Sequence, residues 1–207
     1  MKRVRPLDRV VAAIALIVLA PLMIAIAIVV RSTSRGPAWH RSIRVGLGGL
    51  PFTLYKFRSM VAGADASGTR VTAAGDPRIT RVGRVLRKSK LDELPQLVNV
   101  VRGEMGLVGS RPEDPAYVDL DDPLHAELYT YPPGITGPAS VAYRHEEDVL
   151  AERVASGCEH EAAYRDLART KMEIDLAYLR DRTVRSDLGM LAKTVVSVAG
   201  RRAGAAG

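Results

Sequence analysis

Two adjacent carboxylates, Asp92 and Glu93, lie in the part of this sequence whose residue types are best suited to chemistry. They belong to the run LDELPQL, directly after residues 78–90, a stretch with six basic residues and no acidic one. In a structural interpretation, Asp92 caps a helix and Glu93 lies in its first turn. In a chemical one, a carboxylate among cations attacks a phosphorus atom while its neighbour holds Mg²⁺, which prefers oxygen ligands.

Further cations occur in the run FTLYKFRSM. Successive side chains of a strand point to opposite faces, so Lys56 and Arg58 are predicted to project together, with phosphate or carboxylate as the natural ligand. The alternative is a solvated basic face beside an anionic membrane. Residues 78–90 could likewise lie on anionic headgroups or bind nucleic acid, although they lack the aromatic residues on which bases stack.

The elements that would position these residues are a hairpin and a helix. Trp39–Val45 and Phe52–Met60 have the composition of strands, and the glycines of 46–49 suit a turn between them. After the carboxylates, apolar residues recur at helical spacing up to a stop at Gly103. Residues 61–76 are predicted to form a loop, and the tail RRAGAAG is predicted to be disordered.

The most apolar segment is Val10–Val30, which contains 21 residues and no charge. A helix of this length reaches about 31 Å, enough for a bilayer core of about 30 Å. A cleaved signal peptide fits poorly, because its apolar region is shorter. Pro21 and basic residues on both flanks leave two paths open: a kinked helix that spans the membrane and exports one basic cluster, or a re-entrant helix that keeps both clusters on the cytoplasmic side.

Composition narrows the class of protein. With 207 residues, 47% of them hydrophobic, the chain suits one domain and is not a disordered protein. Residues 1–60 carry ten basic residues against Asp8 alone, whereas the rest is slightly acidic, which weighs against a nucleic-acid-binding protein. The single cysteine, Cys158, excludes an internal disulfide and a cysteine-based zinc site, so we expect a reducing compartment. The four histidines lack metal-ligand spacing.

Taken together, these motifs resemble the monotopic phosphoglycosyl transferases, a family of bacterial sugar transferases. The resemblance covers nearly the whole chain, from Arg5 and Asp8 through RVGLGGLPFTLYKFRSM, DPRITRVGRVLRKSKLDELPQLVNVVRGEMGLVGSRPE and PPGITG to Lys171, Asp175, Tyr178 and Asp187. It implies that a UDP-sugar gives its phosphosugar to an enzyme aspartate, releasing UMP. A polyprenol (undecaprenyl) phosphate then accepts the phosphosugar, as the first membrane step of glycoconjugate or polysaccharide assembly.

The resemblance also implies roles for individual residues. Asp92 would be the nucleophile and Glu93 the ligand of the Mg²⁺ cofactor. Phosphate and nucleotide contacts are expected from Lys56, Arg58, Arg87, Arg111, Arg144 and Asp175. Pro21 would be the break of a re-entrant membrane helix. The chain departs from the usual pattern at Ser110 and Ala20, where the family commonly has Pro and Ser, and its PASVAYRHEED segment leaves the sugar open.

The expected fold is α+β, mainly helical, with a small β-hairpin and interfacial amphipathic helices. Residues 1–36 would form the re-entrant helix-break-helix, and residues 37–207 a cytoplasmic catalytic domain on the inner membrane of a bacterium. The expected partners are a UDP-sugar, polyprenol phosphate and anionic phospholipid, without nucleic acid, and homodimer formation stays open. A membrane-anchored Mg²⁺-dependent phosphohydrolase and a non-enzymatic basic anchor are the rival interpretations.

Overall fold

The architecture is taken from a computed structural model that describes residues 2–64 and 75–199. Most of the predicted loop and the predicted disordered tail lie outside these residues. Within them, the helices are α1 (Pro6–Thr33), α2 (Arg81–Ser89), α3 (Gln96–Arg102), α4 (Pro123–Leu128), α5 (Pro138–Ala142), α6 (Glu146–Ala155), α7 (His160–Arg180) and α8 (Val184–Ala199). The strands are β1 (Trp39–Val45), β2 (Pro51–Phe57), β3 (Gly106–Val108) and β4 (Gly134–Thr136).

The predicted hairpin is confirmed. Strands β1 and β2 pair antiparallel, with His40 opposite Lys56 and Arg44 opposite Phe52. β2 ends at Phe57, three residues before the predicted end. A second, parallel pair, β3 with β4, was not predicted, because three residues are too few to show a period. The fold is therefore α+β, mainly helical and with a small hairpin, as the sequence indicates.

Helix α1 contributes to the protein core along much of its length. Near its N-terminal end, Ala12 packs with buried residues of β2 and α3. Nearer its C-terminal end, Met23, Ile26 and Val30 pack with Phe57 of β2 and Leu86 of α2. Burying apolar surface stabilises a fold by about 25 cal/mol per Å². These contacts therefore stabilise the attachment of α1 to the rest of the protein.

The other side of α1 is apolar and exposed. Ile17 and Val18 are 75% and 70% exposed, and Leu7, Val10, Ile14, Ile24 and Ile28 are more than half exposed. The helix is long and apolar enough to cross a membrane, with a mean hydropathy of 3.1 over its best window. Its helical backbone continues through Pro21, so no unwound residues separate its two halves.

Both ends of α1 are bound to the same globular body. On the N-terminal side, Arg5 Nη1 donates to Asp187 Oδ2 of α8 at 2.7 Å, and Arg9 Nε donates to the carbonyl of Val101 at 2.9 Å. On the C-terminal side, the Arg58 guanidinium donates to the carbonyls of Ser34 and Arg35. The helix therefore lies along this body instead of leaving it at one end.

Candidate functional site

The two carboxylates lie in a short 3-10 turn between α2 and α3. Lys90 ends α2 in the left-handed conformation, with φ of 57°. The turn spans Leu91–Glu93, and α3 begins only at Gln96, because Pro95 has no amide hydrogen to donate to a longer helix. Neither the turn nor α3 has a side-chain cap, so the interpretation of Asp92 as a capping residue is wrong. The predicted stop at Gly103, with φ of 81°, is confirmed.

Glu93 is a buried carboxylate on which two cations converge. Its Oε1 accepts from Arg111 Nη2 at 2.8 Å and from Lys56 Nζ at 3.2 Å. Burial alone would raise the pKa of Glu93, but the charges of Arg111 and Lys56 outweigh it and hold that pKa well below its ordinary value. Glu93 is thus a fixed negative charge that orients both cations.

Asp92 is as buried as Glu93 but is bonded differently. It is 6% exposed, and its Oδ1 has no hydrogen-bond partner among the described residues. Burial, followed by repulsion from Glu93, raises the pKa of Asp92. A carboxylate of higher pKa is more basic and hence more nucleophilic once ionised. An unpartnered buried oxygen is costly in a folded protein, which suggests that it serves a reaction partner.

Lys56 and Arg58 do not act together as predicted. Lys56 points to Glu93, whereas Arg58 lies beyond the end of β2, and its guanidinium donates to Ser34 Oγ and Ser34 O, each at 2.8 Å. The two cations therefore bond different groups of the protein, although both line one cavity. The physical reason is that the last carbonyls of a helix lack partners within it, and Arg58 supplies donors to the end of α1.

Asn99 of α3 is a buried residue that the sequence analysis missed. Its Nδ2 donates to the carbonyl of Thr53 at 2.6 Å and to Glu104 Oε2 at 2.7 Å, and its Oδ1 accepts from the Tyr55 amide at 3.2 Å. The side chain thus pairs with β2 as a neighbouring strand would. It holds the strand that carries Lys56 against the helix that follows Asp92 and Glu93. No local pattern reveals it, since its partners on β2 are more than 40 residues away.

Asp175 of α7 binds the backbone of the loop that carries Arg111. The backbone amides of Ala139 and Arg111 donate to the Asp175 carboxylate, the former at 2.9 Å. Burial raises the pKa of Asp175 to about 7. Lys171, one turn earlier, donates to Glu146 Oε2 at 2.8 Å. These contacts make Asp175 a positioning residue for Arg111, whereas the sequence predicted a contact with nucleotide.

A cavity of about 1890 Å³ opens over the carboxylates. Its walls include Asp92, Glu93, Lys56 and the remaining predicted cations, Arg58, Arg87, Arg111 and Arg144. Arg144 Nη1 also donates to Ser197 Oγ of α8 at 2.9 Å, which ties this wall to the last helix. The structure therefore brings five predicted cations to one cavity, two of them in direct contact with Glu93.

Two carboxylates are the protein groups that this site offers to a metal ion. No group of three or more His, Cys, Asp or Glu residues that could hold a metal occurs in the part of the chain that the structure describes. Mg²⁺ commonly binds one or two carboxylates together with substrate phosphates. The free oxygen of Asp92 and the Glu93 carboxylate, beside a cation-lined cavity, fit that donor set.

Comparison with known proteins is consistent with this geometry. A family sequence model described as "Bacterial sugar transferase" matches residues 1–201. A UDP-glucose:undecaprenyl-phosphate glucose-1-phosphate transferase of Caulobacter vibrioides is 38% identical over 95% of this chain and 69% of its own length. A UDP-N-acetylgalactosamine-undecaprenyl-phosphate N-acetylgalactosaminephosphotransferase of Aeromonas hydrophila is 35% identical over 94% of this chain and 43% of its own length.

A third relative, a UDP-glucose:undecaprenyl-phosphate glucose-1-phosphate transferase of Escherichia coli, is 33% identical over 91% of this chain and 38% of its own length. The chain therefore spans less than half the length of two of these three relatives. The match of the family sequence model to nearly the whole chain is decisive: this protein belongs to the bacterial sugar transferase family.

Proposed function

We propose that the protein is a membrane phosphoglycosyl transferase that moves a sugar phosphate from a UDP-sugar to undecaprenyl phosphate. The observation that carries the proposal is the buried pair formed by Asp92, with its unpartnered oxygen, and Glu93, which holds Lys56 and Arg111. The names of the relatives, which pair UDP-sugars with undecaprenyl phosphate, support the same reaction. Such a transfer would be the first membrane step of glycoconjugate or polysaccharide assembly.

The reaction has two displacements at one phosphorus atom. A carboxylate oxygen of Asp92 attacks the phosphorus that carries the sugar, an O–P bond forms, and the bond to UMP breaks with its electron pair on the leaving oxygen. An oxygen of undecaprenyl phosphate then attacks the same phosphorus and the Asp92 carboxylate leaves. Lys56 and Arg111 offset the repulsion between the anionic nucleophile and the anionic diphosphate.

We also propose that Glu93, besides binding Lys56 and Arg111, is a ligand of Mg²⁺. When bound, Mg²⁺ would neutralise charge on the donor's diphosphate. Asp92 needs its own charge for the attack, so Glu93, whose pKa is held low, is the better permanent ligand of the two. The cations around Glu93 keep it ionised and oriented whether or not substrate is present.

The proposal includes a monotopic arrangement on the cytoplasmic face of the inner membrane. Both ends of α1 contact the same globular body, so a helix that crossed the bilayer would drag part of that body through it. The exposed apolar face of α1, the exposed basic residues Arg81, Arg84 and Lys88 of α2, and the exposed Leu188 and Val195 of α8 suit a body resting on anionic lipid.

Intact-protein mass spectrometry tests the covalent step. Wild-type protein mixed with a panel of UDP-sugars, without lipid, is expected to gain the mass of one phosphosugar and to release UMP. Asp92→Asn should gain nothing while still folding, and Asp121→Asn, at an exposed carboxylate, should behave as wild type. If the phosphosugar is lost to water without lipid, the protein is a phosphohydrolase. If neither an adduct nor released UMP appears, the protein is a non-enzymatic membrane anchor.

A further inference from the structure

Strand β1 presents a further arginine, Arg44, to the cavity. In the register of the hairpin, Arg44 lies opposite Phe52 and His40 lies opposite Lys56. Residues an even number apart share one face of a strand, so Arg44 and Lys56 project from the same face of the sheet. Both line the cavity that contains Asp92 and Glu93. In the sequence, Arg44 is the first residue of the motif RVGLGGLPFTLYKFRSM, but the sequence analysis assigned it no role.

The guanidinium of Arg44 has few hydrogen-bond acceptors within the described part of the protein. Its Nε is buried and has no hydrogen-bond partner among the residues that the structure describes, and no ion pair of Arg44 occurs in residues 2–64 and 75–199. By contrast, Lys56 and Arg111 both bond Glu93. A buried donor left without an acceptor is unfavourable, and a guanidinium is suited to two parallel bonds with a phosphate.

The surroundings of Arg44 also connect it to the other cations. The Val45 amide, next in the chain, donates to the carbonyl of Glu113 at 3.0 Å, so the end of β1 is joined to the segment that carries Arg111. The charge of Arg44 contributes to lowering the pKa of Lys56, after burial and Arg111. Arg44 is therefore close enough to Lys56 for their charges to interact, and its neighbour in the chain is bonded to the segment that carries Arg111.

From this geometry we propose that Arg44 is a substrate-binding residue that donates to a phosphate oxygen of the donor's nucleotide diphosphate. The proposal rests on the proposed function and deepens it. A UDP-sugar brings two phosphate groups, whereas Lys56 and Arg111 already share one oxygen of Glu93. Arg44 supplies an additional charge on the neighbouring strand, and it forms no ion pair with any described residue.

Calorimetric binding of UMP and of UDP to the full-length protein tests this role. Loss of a hydrogen bond to a charged group predicts that Arg44→Gln weakens binding of UDP by about tenfold or more, with partial recovery in Arg44→Lys. Arg102→Gln is the matched control, because Arg102 contacts the Tyr55 ring at the surface, on the face of β2 opposite Lys56. Its affinity should equal that of wild type.

The outcomes separate as follows. Weaker binding of both nucleotides assigns Arg44 to the phosphate next to uridine, and weaker binding of UDP alone assigns it to the phosphate that is attacked; both support the proposal. Unchanged binding of both, or a lower unfolding temperature of ligand-free Arg44→Gln that accounts for the loss, overturns it. A wild-type protein that binds UDP but transfers no phosphosugar would instead refute the proposed function and leave this comparison valid.

Discussion

Glu93 is the residue on which the charges of the site converge, and this explains why neighbouring carboxylates have opposite properties. Arg111 and Lys56 stabilise the ionised form of Glu93, whereas burial and the charge of Glu93 disfavour ionisation of Asp92. Two carboxylates whose pKa values are pushed apart commonly divide the work of a site. In the proposed reaction, Glu93 is the permanent anion and Asp92 the basic nucleophile.

Lys56 gives the site a dependence on pH. Burial, with the charge of Arg111, lowers the pKa of Lys56 to about 8. The ammonium group is mostly charged below that pH and mostly neutral above it, so turnover should fall by about fivefold between pH 8 and 9 if its charge holds the donor. In Lys56→Arg the cation persists, and this alkaline fall should disappear from the rate profile. Lys88→Arg, at an exposed position of α2, should keep it.

A profile of Lys56→Arg that still falls near pH 8 would show that another group titrates there. A uniformly slower variant with the fall removed would still support the assignment, because the shape of the profile, and not its height, reports the titrating group.

Replacing Glu93 tests its proposed role as a ligand of Mg²⁺. Glu93→Gln should lower the rate by about a hundredfold and abolish its response to Mg²⁺, because a neutral amide is a poor ligand for this ion. The measurement is UMP release over a series of Mg²⁺ concentrations. The control is Glu152→Gln, at an exposed residue of α6. If neither the rate nor its response to Mg²⁺ changes, Glu93 has only a structural role.

At the scale of elements, the site depends on how β2 is joined to α3. Asn99 makes this connection with three hydrogen bonds, two of them to the backbone of β2. Asn99→Ala should reduce the free energy of unfolding by about 1–3 kcal/mol, because buried groups on β2 lose their partners. Turnover should fall with it, because Lys56 loses its fixed position. Thermal unfolding and initial rates measure the two effects.

Arg102→Ala is the matched control on the same helix. Arg102 also joins α3 to β2, through the hydroxyl of Tyr55 at 2.7 Å, but it does so at the surface. Its loss should change the free energy of unfolding by less than about 0.5 kcal/mol. Equal effects of the two substitutions would contradict the role given to Asn99.

These elements differ in whether the sequence alone predicts them. The hairpin, the stop at Gly103 and the carboxylate pair follow from local patterns, namely strand composition, glycine conformation and the motif LDELPQL. The 3-10 turn does not, because it depends on the left-handed Lys90 and on Pro95 together. The positioning roles of Asn99 and Asp175 arise from long-range contacts, which single-sequence periodicity does not contain.

For the whole molecule, the path of α1 is the main structural question that sequence left open. Basic flanks and Pro21 allow a spanning or a re-entrant helix, and the structure adds that residues at both ends of α1 are bonded to the rest of the fold. The sequence shows the charges on each flank but cannot show which residues bind them, since Arg5 meets Asp187 across 182 positions.

Cysteine labelling in intact cells tests this topology. In a Cys158→Ser background, Arg3→Cys and Ser32→Cys, both at exposed positions on the two sides of the apolar run, should resist a membrane-impermeant thiol reagent applied outside. Both should react after permeabilisation. Adding Pro21→Leu removes the clash of a helix-interior proline and should make position 3 partly reactive from outside. Full labelling of Arg3→Cys with Pro21 present would mean that α1 spans the membrane.

The packing of α1 has a practical consequence for anyone preparing this protein. A membrane anchor is usually treated as a handle that can be trimmed to give a soluble catalytic fragment. Removing residues 1–36 here would strip the cover from Phe57, Leu86, Leu54 and Val100, residues that α1 keeps from water. Arg58 would also lose the carbonyls that it binds. We therefore expect the fragment to aggregate, so a detergent or lipid preparation of the intact chain is the practical starting material.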